Sequence, residues 1–316
     1  MRLAVSEFAR EELRRFPAQR ASVLTIGNFD GVHRGHQHLV RYLIERARAL
    51  GMAAGAVTLY PDPVRVLRPE EPMQYLTSLE ERIELLRGLG LDLVVPLSFT
   101  SELADLSPRA FVSLLRQELD MRLLVMGPDN AFGRNREATA ASVAAIGADL
   151  GFAVEVLPQS LTEQEERISA TAIRAALAAG DLVTVERQLG RRYSLRGPVV
   201  RGEERGRLLG FPTANISVTA DRALPAFGVY ATWAYLGETR HASATNIGRR
   251  PTFGGERVSI ETHIFNFDAD IYDQQLRIEL VARLRPEQKF DGIEAIKAQI
   301  ERDVAQARAI LKTAAA

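Results

Sequence analysis

The chain has no cysteine, which excludes disulfide staples and thiolate chemistry and leaves the redox compartment open. Lysine is nearly as scarce. Lys289, Lys297 and Lys312 are the full set, so nothing in residues 1–288 can serve as a phosphate-binding or Schiff-base lysine. Charge of one sign is also missing: 40 basic side chains balance 40 acidic ones, which argues against nucleic acid or an anionic membrane as the main partner. No apolar run approaches membrane-spanning length. The opening MRLAVSEFAREELRRF is charged throughout and lacks a signal core, so a cytoplasmic protein is expected. What is present is ordinary globular material: 316 residues, 46% hydrophobic and 25% charged. That length suits two domains, each able to bury a core.

From residue 21 short apolar runs alternate with helical periodicity. ASVLTI (21–26), AAGAVTL (53–59), LDLVVPLSF (91–99), RLLVMG (122–127) and AVEVLP (153–158) read as strands. Between them, HQHLVRYLIERARAL (36–50), TSLEERIELLRGLG (77–90), SPRAFVSLLRQEL (107–119) and residues 138–150 read as helices. The second of these has a capping-box start and a glycine stop, and the third opens on a Ser107 cap with Pro108 in its first turn. This alternation predicts a parallel sheet with helices on both faces. After about residue 180 a connecting helix, DLVTVERQLGR, leads into period-two runs: YSLRGPVV, GVYATWAYL, HASATNIG, RVSIETHIF and QLRIELVARL. These predict an antiparallel sheet or small barrel. A terminal helical stripe of Ile293, Ile296, Ile300, Val304 and Ile310 is expected to pack on it. The expected division is residues 1–184 and 185–316.

Three of the five histidines, His33, His36 and His38, fall in or just after GNFDGVHRGH (27–36). This stretch joins the first strand to the first helix, where ligands of parallel sheets bind. Free amides and the dipole of the following helix favour an anion there. Gly27, Gly31 and Gly35 would let backbone approach a phosphate, and His33 and His36 would add donors. A metal held by His33 and His36 is the other reading, although the spacing matches no common zinc pattern. In the second half, GPVVRGEERGRLLGFPTANI (197–216) repeats glycine at 197, 202, 206 and 210. Such a loop can wrap a nucleotide, or it can be a plain hairpin. Thr213 and Asn215 are hard oxygen ligands two residues apart, a set that suits magnesium.

TIGNFDGVHRGH resembles the H-x-G-H signature of nucleotidyltransferases. Together with LTSLEERIELL, SPRAFV, MGPDNAFG and RISATAIR, it resembles the adenylyltransferase half of bacterial bifunctional riboflavin kinase/FAD synthetases. GRLLGFPTAN, GVYA, TNIGRRPTFGG and SIETHIFNFDADIYDQQLRIEL resemble their flavokinase half. The resemblance implies a Rossmann-like α/β nucleotidyltransferase domain followed by a small antiparallel β-barrel with a terminal helix. It implies ATP, riboflavin and FMN as substrates, Mg2+ as the metal, and both FMN and FAD as products. It also places His33 and His36 on the triphosphate, Asn28 and Asp30 in positioning roles, Asp129 near the nucleotide, and Arg167 and Thr171 on phosphates. In the second half it places Gly202, Gly206, Arg207 and Gly210 around the nucleotide, Thr213 and Asn215 on the metal, and Glu261 as general base. Alternation of Val258, Ile260 and Ile264 onto one strand face points Glu261 and His263 to the other. From there a carboxylate can take a proton from a hydroxyl. Tyr230 and Phe253 are aromatic candidates for the flavin ring or for the core. Departures from the family pattern at Asp62, Asn130 and Ala170 leave a riboflavin kinase with a silent first domain as the alternative. An adenylyltransferase for another acceptor and a non-catalytic flavin carrier are further readings, and Glu261 speaks against both. A nucleic-acid-binding barrel is the last, and zero net charge and the lack of an aromatic–basic face speak against it.

Overall fold

The computed structural model describes residues 2–127, 132–133, 137–157, 168–202, 206, 209–252 and 255–314. The chain packs into two compact units, Met1–Ala170 and Thr171–Ala316.

In the first unit five strands form one parallel sheet: β1 (Ser22–Gly27), β2 (Ala53–Tyr60), β3 (Leu93–Ser98), β4 (Met121–Met126) and β5 (Ala153–Val156), in the order β3-β2-β1-β4-β5. β1 is central and buried along nearly its whole length, so its sequence does not alternate between polar and apolar, and its two hydroxyl residues Ser22 and Thr25 are buried along with Val23, Leu24 and Ile26. Helices cover both faces. On one side α1 (Arg2–Arg14), α5 (Ser101–Ala104), α6 (Pro108–Glu118) and α7 (Ala140–Leu150) bury Leu13, Leu103, Phe111, Leu115 and Val143. On the other, α2 (Arg34–Leu50) and α4 (Leu79–Gly88) bury Leu39, Leu43 and Leu86. The caps follow the side-chain chemistry. Ser78 and Glu81 close a full capping box on α4, and Ser107 caps α6 with Pro108 behind it. The short α3 (Pro63–Leu67) and the whole of α1 have no counterpart in the sequence-based reading. α2 starts two residues before its expected start because His33 itself is the N-cap.

The second unit begins with α8 (Ala170–Ala179) and α9 (Leu182–Leu189). The strands β6 (Ser194–Val200), β7 (Ala214–Ile216), β8 (Gly228–Leu236), β9 (Thr239–Thr252), β10 (Gly255–Ile264) and β11 (Gln275–Pro286) close into an antiparallel barrel, ordered β10-β7-β6-β11-β8-β9. Inside it, Thr232, Ser243, Thr245 and Thr262 are fully buried and joined through their hydroxyls at 2.7–3.0 Å. Outside it, Ala231, Trp233, Ala244 and Phe265 pack against Ala307 and Leu311 of α10 (Ile293–Ala314). Two expectations change here. Ile293 is exposed, and the buried stripe of α10 instead includes Asp303, which Arg285 and Gln299 satisfy. Gly197 lies inside β6 rather than in a loop, and it is glycine there because a side chain would collide with the Ser217 carbonyl.

Candidate functional site

In the parallel sheet the strand order reverses between β1 and β4, so the loops leaving those strands border a crevice. The loop after β1 is strained: Phe29 (φ 53°), Gly31 (φ 76°) and Val32 (φ 40°) are all left-handed. Burial of the Phe29 and Val32 side chains holds the two non-glycine residues there. Gly31 spends its amide on Thr77 Oγ1 at 3.0 Å, so that N–H is not turned toward a ligand. Gly27 and Gly35 make room for the loop's own rings, since a Cβ would stand 3.2 Å from Phe29 at the first and from His33 Nδ1 at the second.

His33 is 7% exposed, and its Nδ1 accepts the His36 amide at 3.4 Å. That nitrogen must be unprotonated to cap the helix, so a neutral His33 carries its hydrogen on Nε2. The His36 ring stacks on it at 3.7 Å and 17°, and meets Phe29 edge-on at 5.1 Å. Burial, followed by the proximity of His33 and Arg82, holds the His36 imidazole well below its ordinary pKa. Beside the rings, the first two amides of α2 belong to the exposed residues Arg34 and Gly35 and lie at the helix N-terminus. This is a place for an anion. Among the described residues no group of three or more His, Asp or Glu side chains is arranged to hold a metal. His38 is half-buried and sits in the body of α2.

A buried network fixes this loop. Asp30, 2% exposed, accepts from the amides of Leu76 (3.0 Å) and Thr77 (3.1 Å) and from the Thr77 hydroxyl (3.2 Å). Arg82, 0% exposed, reaches Asp30 at 3.4 Å and donates to the Asn28 carbonyl at 2.7 Å, with Tyr60 and Tyr75 beside its guanidinium. The Asn28 side-chain amide donates to Asp62 at 2.7 Å, and the other Asp62 oxygen caps α3 by accepting the Val64 amide at 2.9 Å. The Asp62 carboxylate is thus engaged by an amide and a helix N-terminus. Arg82 is absent from the sequence-based set of site residues. Its spacing, three after Leu79 and four before Leu86, was the available signal: it places an arginine on the buried stripe of α4.

In the barrel, β7 meets β10 through the pairs Glu261↔Asn215 and Thr262↔Ala214. Directly opposed side chains share a face. Thr262 points inward to Thr245, so Glu261 and Asn215 project together from the outer surface. Ser259 donates its hydroxyl to Glu261 Oε1 at 2.6 Å. The alternation expected of β10 holds for the buried Ile260 and Ile264 but not for Val258, which is 38% exposed. Of the glycine-rich segment, Gly202 and Gly206 lie against the same residues. A Cβ on Gly202 would collide with the Asn215 amide, and one on Gly206 would meet Thr213 Oγ1 at 3.2 Å and the Phe211 carbonyl. Gly210 supplies a left-handed turn (φ 87°) just before the Phe211–Pro212 step. Two hard oxygen ligands under a glycine cradle, with a carboxylate alongside, fit Mg2+.

Tyr230 belongs to the core: it is fully buried, its hydroxyl donates to the Ala226 carbonyl, and burial pushes its pKa up to about 12. Thr171 is exposed in the first turn of α8, next to Ala170. Asp129, Asn130, Arg167, Arg207 and Phe253 lie outside the described residues.

Residues 16–172 match the family model described as FAD synthetase, and residues 189–311 the one described as riboflavin kinase. Among curated proteins, the bifunctional riboflavin kinase/FMN adenylyltransferase of Escherichia coli K12 is 37% identical over 292 residues, covering 92% of this chain and 93% of that one. Proteins of the same name from Bacillus subtilis (35%, covering 92% of each chain) and Pseudomonas fluorescens (38%, covering 93% and 94%) are similarly related. A crystal structure described as a macrolide-efflux protein from Streptococcus pneumoniae superposes with a TM-score of 0.84 at 29% identity, covering 94% of this chain and 96% of that one. Among the described residues of this chain, no helix is long and apolar enough to cross a membrane. Two family models in tandem, relatives matched over nearly their full length, and a parallel sheet followed by a closed barrel lead to one assignment: the chain belongs to the bifunctional riboflavin kinase/FMN adenylyltransferase family.

Proposed function

We propose that residues 185–316 transfer the γ-phosphoryl group of ATP to riboflavin, giving FMN and ADP. Residues 1–184 then join FMN to the AMP part of a second ATP, giving FAD and pyrophosphate. The observation that carries this reading is the register pairing of Glu261 with Asn215 beneath Gly202. It sets a proton acceptor beside a hard oxygen ligand on one outer face of the barrel.

The two units face different nucleophiles. Riboflavin attacks through an uncharged hydroxyl, which must lose its proton as the new bond to phosphorus forms. Glu261 takes that proton, with Ser259 holding one of its oxygens. FMN attacks through a phosphate that is already an anion, so the first unit needs positioning and charge neutralisation rather than a base. His33 and His36 supply hydrogen-bond donors at the start of α2, beside the amides of Arg34 and Gly35 at the positive end of the helix dipole. Asn28 and Asp30 hold the loop in place, while Asp129, Arg167 and Thr171 complete the nucleotide side by family resemblance. In the barrel Gly202, Gly206, Arg207 and Gly210 wrap the nucleotide. Thr213 and Asn215 hold Mg2+, which when bound offsets phosphate charge.

Chromatographic product analysis tests the whole reading. Supplied with FMN, ATP and magnesium but no riboflavin, the protein is expected to form FAD. With riboflavin and ATP it is expected to form FMN. FMN formation without any FAD would reduce the protein to a riboflavin kinase, the outcome that the residues at 130 and 170 make worth testing.

A further inference from the structure

We infer that His263 is a positioning residue for phosphoryl transfer, holding residues 212–215 in register with Glu261 through a bond from its ring to the Pro212 carbonyl. The inference rests on the reading of Thr213, Asn215 and Glu261 given above. β7 is attached to β10 by two registered pairs, Glu261↔Asn215 and Thr262↔Ala214. One more step would set Thr213 against His263, and beyond it stands Pro212, which has no N–H to give a ladder. Backbone pairing therefore includes Asn215 and stops at Ala214, one residue short of Thr213.

The His263 side chain takes over at that point. Its Nδ1 lies 2.8 Å from the Pro212 carbonyl oxygen. A carbonyl only accepts, so Nδ1 carries the hydrogen, in the neutral ring and in the imidazolium alike. The ring is wedged between two aromatic neighbours: Phe211 edge-on at 5.5 Å and 83°, and Phe265 at 5.6 Å and 59°. Phe265 is itself buried with α10, and the Arg308 guanidinium stands 4.5 Å from its ring centre. Held in this way, the imidazole ties Pro212 to β10, and the residue after Pro212 is Thr213. His263 and Glu261 lie two residues apart on one strand face. One strand thus presents the base and, next to it, the clamp on the segment that carries the metal ligands.

Three substitutions separate the clamp from its alternatives. His263→Asn keeps an N–H close to the position of Nδ1. His263→Phe keeps a ring between Phe211 and Phe265 but removes the donor, and His263→Ala removes both. His263→Phe and His263→Ala are expected to lower kcat/KM for ATP in FMN formation by about tenfold, with the KM for riboflavin unchanged and FMN-to-FAD conversion unaffected. His263→Asn should restore most of the loss. The second readout needs no turnover. In the protein free of metal and nucleotide, hydrogen–deuterium exchange across residues 211–216 should speed up in His263→Phe and His263→Ala but not in His263→Asn. Unchanged exchange in His263→Phe overturns the inference, whatever its activity. So does a His263→Asn variant as impaired as His263→Phe, because the ring itself would then take part in the chemistry. Glu261→Gln, run alongside, keeps the two readings apart: full FMN formation in that variant removes the base assignment, while the exchange experiment still decides the clamp.

Discussion

Arg82 is a cation without solvent, balanced by one carboxylate and one carbonyl. Replacing it with methionine would leave Asp30 with its bonds to Leu76 and Thr77 but without its countercharge. The expected loss is about 3 kcal/mol, the lower end for a broken buried pair, measured as a shift of the first unit's transition in calorimetry. Arg82 is also one of the three influences that keep His36 neutral, after burial and His33. The sign of that shift has a consequence for stability. The folded His36 has a pKa below the unfolded value of 6.5, so just under that pH the folded protein binds fewer protons than the unfolded chain. The contribution is complete above 6.5 and is lost as pH falls from there toward the folded value. A His36→Gln variant should therefore lose less stability than the native protein between pH 7 and about pH 5. Equal losses in urea midpoints would mean that the folded imidazole takes up its proton freely.

At the scale of elements, the barrel interior holds a polar chain whose direction can be worked out. Ser243 gives its hydrogen to the Thr232 carbonyl at 2.9 Å, so the 2.7 Å contact between the two hydroxyls must be donated by Thr232. Thr245 must then donate to Thr232, and Thr262 to Thr245. Each hydroxyl has one hydrogen and each is used once. Thr245→Val, nearly isosteric, removes both a donor and an acceptor from the middle of the chain, at an expected cost of about 1–3 kcal/mol. Trp233 is the only tryptophan and lies in this barrel, so its fluorescence in urea reports the right unit. Elements whose information is local were legible without a structure. β8 coincides with GVYATWAYL, and α4 and α6 start at the capping serines that the sequence displays. β7 was not, because three residues carry no periodicity and its place comes from the strands on either side. The same division runs through the sites. His33, His36 and Glu261 stand in recognisable strings, whereas Arg82 and His263 gain their importance from partners 54 and 51 residues away.

Across the whole molecule, each unit has its own core, and on the proposed roles each has its own site, so the chemistry of one is expected to be removable without the other. On the proposed roles, Glu261→Gln lacks the proton acceptor for the hydroxyl of riboflavin but retains the His33–His36 stack assigned to the triphosphate in adenylyl transfer. It should make FAD from FMN at the native rate while losing at least about a hundredfold in FMN formation. His36→Ala should do the reverse, making FMN and stopping there. Neither variant alone should carry riboflavin to FAD. Mixed in one tube with riboflavin, ATP and magnesium, the two should do so, because FMN released by His36→Ala is a substrate for Glu261→Gln. The time course is diagnostic: FMN should accumulate first, and FAD should follow after a lag that shortens as more Glu261→Gln protein is added. FAD absent from the mixture, while each variant still performs its own half-reaction, would show that FMN made in one chain does not reach the adenylyl-transfer site of another. The two sites would then be coupled within one molecule, and independent units would no longer describe how this protein works.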